Sequence, residues 1–515
     1  MGKPFWQSCS LLCLALALLR ADVRLPALIS DHMLLQRDLP LRIWGWAEPG
    51  EQVTVRLAGQ TTETVADSAG RWEVWLRPMA AGGPHELVVR GRNTISVRDV
   101  LVGEVWVASG QSNMAWPVER SRDPEKEAAA ANYPRIRLFK VGLKTSEEPL
   151  EDVEGAWQPC NPETVKGFSA VGYFFARHLH ERLGVPVGVI QSAWGGTPAQ
   201  AWTSRATLVS EPTLQTFLIE WNRALVNWPR AKRRWEEGLR DWERRAAEAK
   251  REGREPPPRP SQPPGPGHPH TPAGLFNAMI HPLTPYAIRG AIWYQGESNA
   301  TPHAHLYRTL FEAMIRDWRQ AWGLGDFPFL FVQLASYGNA PPEGYWSIVQ
   351  EAQLKALELR NTAMAVTIDI GEEKDIHPKN KQDVGLRLAL AARALVYGEK
   401  IVYSGPIFRQ LTREGDRLRL WFDHAGGGLR ARGGSLKEFL VAGADRVFHP
   451  AHAAIEADTV VVWSAEVKEP VAVRYAWANF PEATLFNAEG LPASPFRTDN
   501  WTDARLPGDA NQRRP

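Results

Sequence analysis

Cysteine is nearly absent from this 515-residue chain, which has three. Cys9 and Cys13 lie in an N-terminal leader, so the remainder keeps only Cys160 and cannot close an internal disulfide. The folded chain must therefore be held by its core, and Cys160 reads as an idle structural thiol. Charge excess is missing too. The 60 Lys and Arg nearly balance 58 Asp and Glu, and basic blocks are absent, which argues against nucleic acid as the main partner. There is no H-E-x-x-H, no clustered Cys/His set, no phosphate-binding loop and no dinucleotide fingerprint, so the sequence calls for neither metal nor cofactor. His281, His303 and His305 are scattered and read as ordinary surface or core residues. Finally, no apolar run reaches the roughly 20 residues that span a bilayer.

The leader has a plain reading. Lys3 precedes the apolar stretch Ser10–Leu19, and Ala21 suits a cleavage position, so residues 1–21 are expected to be a secretory signal that sends the protein to the periplasm or beyond. Removing Lys3 and Arg20 with it takes the formal charge from +2 to zero.

What the chain does have is tryptophan, 22 in all, and two kinds of hydrophobic pattern. Over residues 22–102, short alternating runs such as Val53–Leu57 and Trp72–Leu76 are punctuated by Gly, Pro and Asp, as in an N-terminal β-domain with one buried face per strand. From 103 to 398 the runs become continuous: Val105–Ala108, Pro186–Ile190, Ile288–Tyr294, Phe329–Leu334 and Met364–Ile368. Helical spacing, as in Ala170–Leu183, separates them. This predicts a doubly wound, three-layer α/β/α domain, whose ligands bind off the carboxyl ends of the strands. Alternation returns over 399–506, a C-terminal β-domain, and 507–515 is a tail. An insert at 206–273 interrupts the middle domain. In it, Trp221, Trp228, Trp235 and Trp242 recur every seven residues, predicting a helix, or two split near Pro229, whose tryptophan seam packs on the body of the protein. A proline-dominated stretch, Glu255–Pro272, is expected to be an extended, mobile loop.

The chemistry-bearing motifs all follow predicted strand ends. Ser112, in Gly110-Gln111-Ser112-Asn113-Met114, stands on a glycine-hinged turn that opens a helix, where free backbone N–H groups and the helix dipole favour an oxyanion. The turn is a degenerate nucleophile elbow, with Met114 in place of the second glycine. A serine becomes a useful nucleophile when a base takes its proton. His377 is the candidate base, and Asp375, two residues earlier, its orienting acid; Asp369 competes for that role. Oxyanion donors are expected from the Ser112 N–H, from the paired glycines Gly195 and Gly196, and from the amide of Gln295 or Asn299. Gln111 and Glu297 are assigned to substrate binding, although a carboxylate such as Glu297 equally suits a structural role between loops.

Gly-Gln-Ser-Asn-Met at 110–114, Gly-Gly-Thr-Pro at 195–198, Trp-Tyr-Gln-Gly-Glu-Ser-Asn at 293–299 and Asp-Ile-His-Pro at 375–378 resemble the ordered blocks of the SGNH hydrolases, and more specifically of the sialate O-acetylesterases. The similarity extends to Phe168–Tyr173 and Gly490–Phe496 and so covers most of residues 23–501. It implies an SGNH (flavodoxin-like) fold and an exported serine esterase with Ser112 as nucleophile, His377 as base and Asp375 as its partner. The oxyanion donors would be Ser112, the Gly195/Gly196 loop and Gln295 or Asn299. The sequence departs from the pattern at one point: many SGNH enzymes carry the acid three residues before the histidine, where this chain has Lys374. The implied substrate is an O-acetylated sialic acid, with acetylated xylan or another polysaccharide as the alternative. A sialate carboxylate calls for a positioned arginine, for which Arg387 and Arg205 are candidates. From a different class, an inactive carbohydrate-binding protein is the remaining alternative.

Overall fold

The computed structural model describes residues 22–342 and 344–506. The expected leader, 1–21, and the expected tail, 507–515, lie outside the described residues. Among those described, no helix is long and apolar enough to cross a membrane. The chain is a mixed α/β protein with a central sheet and additional antiparallel sheets.

Seven strands form the central layer: β1 (Thr94–Gly110), β2 (Tyr133–Lys140), β3 (Trp157–Cys160), β4 (Val187–Ala193), β5 (Gly290–Tyr294), β6 (Phe329–Val332) and β7 (Thr362–Ala365). Their order is β7-β6-β5-β1-β4-β2-β3. All pair in parallel except the edge strand β3, which runs antiparallel to β2. The five runs read from the sequence correspond to β1, β4, β5, β6 and β7. They stand in the order second, first, third, fourth, fifth, so the chain reverses direction across the sheet at β1. The β2–β3 pair was not anticipated. β2 carries Arg135, Arg137 and Lys140, which disguise a strand whose Arg137 is nonetheless buried, held by a two-point ion pair with Asp99 at 2.6 and 3.0 Å.

Side-chain alternation on β1 divides the core into two. Val105 and Val107 face a cluster completed by Phe311 and Trp318 of α3 (Tyr307–Trp322) and by Trp346 and Val349 of α4 (Tyr345–Lys355). Trp106 and Ala108 face the opposite cluster, with Phe174 of α1 (Ala170–Leu183) and Leu388 of α5 (Lys381–Leu395). Buried parallel strands under helices on both faces explain the continuous apolar runs.

β1 is 17 residues long and begins in a different sheet. Its first half pairs antiparallel with Gly82–Arg90 in the N-terminal β-structure, and its second half is the middle strand of the central sheet. At the other end of the chain, two four-stranded antiparallel sheets enclose their own core around Leu420, Val462, Val441 and Tyr475. This C-terminal unit is tied to the central one through the Arg497–Glu351 pair at 2.8 and 2.9 Å, and by Gln333 donating to the Ser494 hydroxyl.

The insert differs from expectation. One continuous helix, α2 (Gln215–Arg251), carries Pro229 within it. At Trp228, Trp235 and Trp242 the tryptophan stripe turns to a partner other than the body of the protein. It receives the proline-rich segment instead: Trp242 donates its indole N–H to the Pro257 carbonyl (2.6 Å), Trp235 donates to Pro260 (3.2 Å), and Trp228 lies against Gly265. An extended proline chain has carbonyls and few N–H groups, and indoles supply both the donor and the apolar face it needs. The segment expected to be free is docked along the helix.

Candidate active site

Three strand ends coincide in register: Ala193 of β4, Gly110 of β1 and Tyr294 of β5 lie side by side. Each is followed by one of the motifs, which is why residues distant in sequence converge at the sheet's reversal point. Gly110 is required there, because a Cβ at that position would lie 2.1 Å from the Tyr294 carbonyl oxygen. Its φ of 137° is likewise a backbone conformation that suits glycine.

Ser112 follows on the turn, and its hydroxyl lies 2.8 Å from His377 Nε2. Nδ1 of the same ring is 3.5 Å from Asp375 Oδ1, an ion-pair distance rather than a short hydrogen bond. Asp375 Oδ1 also accepts the His377 backbone N–H at 2.9 Å, which fixes the histidine loop around its own carboxylate. Trp116 stacks flat on the imidazole, with ring centres 4.6 Å apart and planes 15° from parallel. Arg120 lies over Trp116 at 4.2 Å. Partial burial, helped by the nearby Lys381 cation, lowers the His377 pKa, while Asp375 opposes the shift. A ring kept neutral near pH 7, beside a hydroxyl, is the arrangement that deprotonates serine as it attacks.

Asp369 is placed elsewhere. It forms a bidentate pair with Arg387 at 2.7 and 2.9 Å, which removes Asp369 from competition for the histidine and Arg387 from any role in binding a carboxylate. Arg205 is exposed at the start of the short helix Arg205–Ser210.

The helix that opens at Ser112 is only four residues long, Ser112–Ala115. A macrodipole of the expected kind is therefore missing, and only the local N–H groups remain. Gly195 lies directly against the serine: a Cβ there would be 3.3 Å from Ser112 Cβ. Gly196 is exposed, and its carbonyl lies 2.8 Å from His270 Nε2, which the insert brings over the loop.

The two candidate amides separate cleanly. Gln295 is fully buried and spends both amide hydrogens internally, on the Thr197 carbonyl (3.2 Å) and on Asn299 Oδ1 (2.7 Å), so it is not an oxyanion donor. Asn299 is oriented by Gln295 and by the Ala199 N–H, both of which donate to its oxygen. Its Nδ2 donates one hydrogen to Gln200 (3.1 Å), and the second is uncommitted in the hydrogen-bond pattern.

Gln111 and Glu297 both bond neighbouring loops. Gln111 is 3% exposed and its side-chain oxygen accepts the Ser298 N–H. Glu297 Oε1 accepts from Asn113 Nδ2 at 2.6 Å, and Oε2 is buried with no hydrogen-bond partner among the described residues. Asn113 joins three loops: it donates also to the Ile376 carbonyl (3.0 Å), and its oxygen accepts from Lys381 Nζ. Burial raises the Glu297 pKa and drives that of Lys381 down to about 7. Sequence reading missed Asn113, Trp116, Arg120 and Lys381 as parts of this site. Trp116 and Asn113 adjoin the serine motif, whereas Lys381 reads as an ordinary surface lysine on a helix. Cys160 is buried and its thiol is pushed up to about 12, which leaves it unreactive.

Residues 102–225 and 272–395 match the family model for carbohydrate esterases described as sialic acid-specific acetylesterase. The sialate O-acetylesterase of Mus musculus is 33% identical over 92% of this chain and 94% of its own length. The chain belongs to the sialate O-acetylesterase family. The Homo sapiens sialate O-acetylesterase is 32% identical over 75% of the chain and 73% of its own length. Among solved structures, a carbohydrate acetylesterase from Xanthomonas citri superposes with a TM-score of 0.80 at 41% identity, covering 93% of this chain and all of that one. This member of the family is a carboxylic ester hydrolase acting on O-acetylated carbohydrates.

Proposed function

We propose that the protein is an exported SGNH-type serine esterase that removes O-acetyl groups through an acetyl-serine intermediate. The observation that carries this reading is the 2.8 Å contact between Ser112 Oγ and His377 Nε2, with Asp375 on the far side of the ring. Ser112 attacks the acetyl carbonyl as His377 takes its proton, and the tetrahedral oxyanion receives the N–H groups of Ser112 and Gly195 and the Asn299 amide. Collapse returns the proton from His377 to the sugar oxygen, which leaves as an alcohol. Water, deprotonated by the same histidine, then attacks the acetyl-serine, and acetate departs with Ser112 restored.

For the sugar we propose an O-acetylated sialic acid, the substrate class in the names of the mammalian relatives. Arg120 supports this choice: it is exposed, and it stands over the Trp116 ring that stacks on His377, within reach of a carboxylate presented at the site. The name of the Xanthomonas relative specifies only a carbohydrate, so acetylated xylan is the competitor to test.

The test is acetate release from an aryl acetate, from O-acetylated sialic acids and from acetylated xylan. Ser112→Ala should lose at least about 10⁴-fold in kcat on all of them. Retention of activity by that variant sinks the triad. Arg120→Ala should raise KM for the sialate about tenfold while aryl acetate turnover is unchanged. Preference for xylan, indifferent to Arg120, would replace sialate by a neutral polysaccharide.

A further inference from the structure

Away from Ser112, the N-terminal β-structure carries a ribbon of two antiparallel strands, Leu41–Trp46 and Arg71–Leu76. Alternation gives it two unlike faces. Leu41, Ile43, Val74 and Leu76 are buried in the core. The opposite face presents Trp44, Trp46 and Trp75 among arginines and a glutamate, and Trp75 is 56% exposed.

A cavity of about 490 Å³ opens between this face and the central unit, where Leu150, Glu151 and His281 form the far wall. That volume falls in the range of small-ligand sites. Two residues that line it carry a buried donor with no acceptor among the described residues: Arg42 at Nε and Trp72 at its indole N–H. Trp72 reaches the wall beside Gly45, where a Cβ would come within 2.9 Å of its ring. Buried donors are rarely left unmatched, and two on one cavity point to a ligand that supplies oxygen atoms. The remaining polar groups are already paired. Arg42 bonds Glu73, Arg71 lies 3.3 Å from Asp67 and 3.7 Å from Glu151, and Glu151 accepts the Trp46 indole N–H at 3.2 Å. No surplus cation is left to demand a carboxylate or phosphate. Indole rings, paired charges that still offer donor and acceptor positions, and orphan donors together match a neutral ring whose faces are apolar and whose rim is hydroxyl.

We propose that this cleft is a second, non-catalytic carbohydrate site that takes a neutral pyranoside oligosaccharide. It does not rest on the reading of Ser112, since none of its walls belongs to the serine, glycine-pair or histidine loops.

Calorimetric titration of the full chain with xylohexaose, cellohexaose and mannohexaose, with N-acetylneuraminic acid as the anionic control, tests it. At least one neutral hexaose should bind. Trp46→Ala and the exposed-site variant Arg71→Gln should each weaken that binding at least about tenfold, with aryl acetate turnover unchanged. Arg71→Gln keeps the test decisive if loss of the indole prevents folding. The proposal is overturned if no neutral hexaose binds, if binding persists undiminished in Arg71→Gln and in any folded Trp46→Ala, or if only the anionic sugar loses affinity in these variants.

Discussion

Two buried carboxylates lie along the line of strand β1, one near its middle and one past its carboxyl end, and they are finished differently. Near the middle of the strand, Glu104 is fully buried and fully partnered: Arg37 bonds one oxygen, and Arg289 reaches both at 2.7 and 3.3 Å. These guanidiniums outweigh desolvation and hold its carboxyl below the ordinary value. Beyond the carboxyl end of the strand, Glu297 has one oxygen without a hydrogen-bond partner among the described residues and a raised pKa, and Lys381 across Asn113 is pushed down to about 7. The first cluster is built so that its charges stay fixed. The second leaves charge only partly compensated beside the serine and histidine, which is where perturbed titration serves chemistry. The fixed ion pair thus belongs to the strand itself, and the tunable one to the loops gathered past its end.

Removing one side of the finished cluster should have the largest effect. Glu104→Ala leaves the half-buried Arg37 and Arg289 without their shared carboxylate and should cost about 3 kcal/mol in denaturant unfolding, with kcat per folded molecule unchanged. The sign of the pH dependence follows from the lowered pKa. The stability contributed by Glu104 is complete above the ordinary glutamate range and is lost as pH falls through its depressed folded value. A fall in kcat matching the fall in stability would break the distinction between the two clusters.

Asn299→Ala should act chiefly on activity. Loss of an oxyanion donor lowers kcat per folded molecule about 10²–10³-fold, a fall far larger than the stability lost when Gln295 and the Ala199 N–H lose their shared acceptor, about 1–3 kcal/mol. An unchanged kcat would return the role to another donor.

Lys381→Met gives the finest measurement. The lysine cation depresses the His377 pKa. His377 acts as a base only when neutral, so activity is present above its pKa and fades as pH falls through it. Without the cation that pKa rises, so the acid limb of kcat/KM should move to higher pH, with about tenfold less activity on that limb and little change on the plateau. An acid limb that stays in place would make Lys381 a packing residue.

These contrasts also show what the sequence made legible. Five parallel strands were readable because burial on both faces writes uninterrupted Val, Ile and Phe into them. β2 was not, because Arg137 is buried as an ion pair and so resembles a surface residue. Ser112, Asp375 and His377 stood out through residue type and position after a strand. The choice between Asp375 and Asp369, or between Gln295 and Asn299, depended on which neighbours consume each group's hydrogen bonds, and that is decided by tertiary contacts alone. Lys381 illustrates the limit: nothing in an amphipathic helix marks which lysine will be turned inward. The insert erred for a related reason, since a tryptophan stripe announces a partner without saying which, and the partner was the adjacent proline segment.

The insert leaves and rejoins the fold at nearly one point. The Ala273 N–H donates to the Gln200 carbonyl at 3.0 Å, and the family match breaks after 225 and resumes at 272. Because its tryptophans satisfy its own prolines, the arm brings most of its hydrophobic partner with it. In evolutionary terms it is a cassette: a lineage can gain or discard it in a single insertion or deletion. The central strands keep their register, and among the contacts the host enzyme gives up are that of His270 on the glycine loop and the Thr145 hydrogen bond to the Gly267 carbonyl.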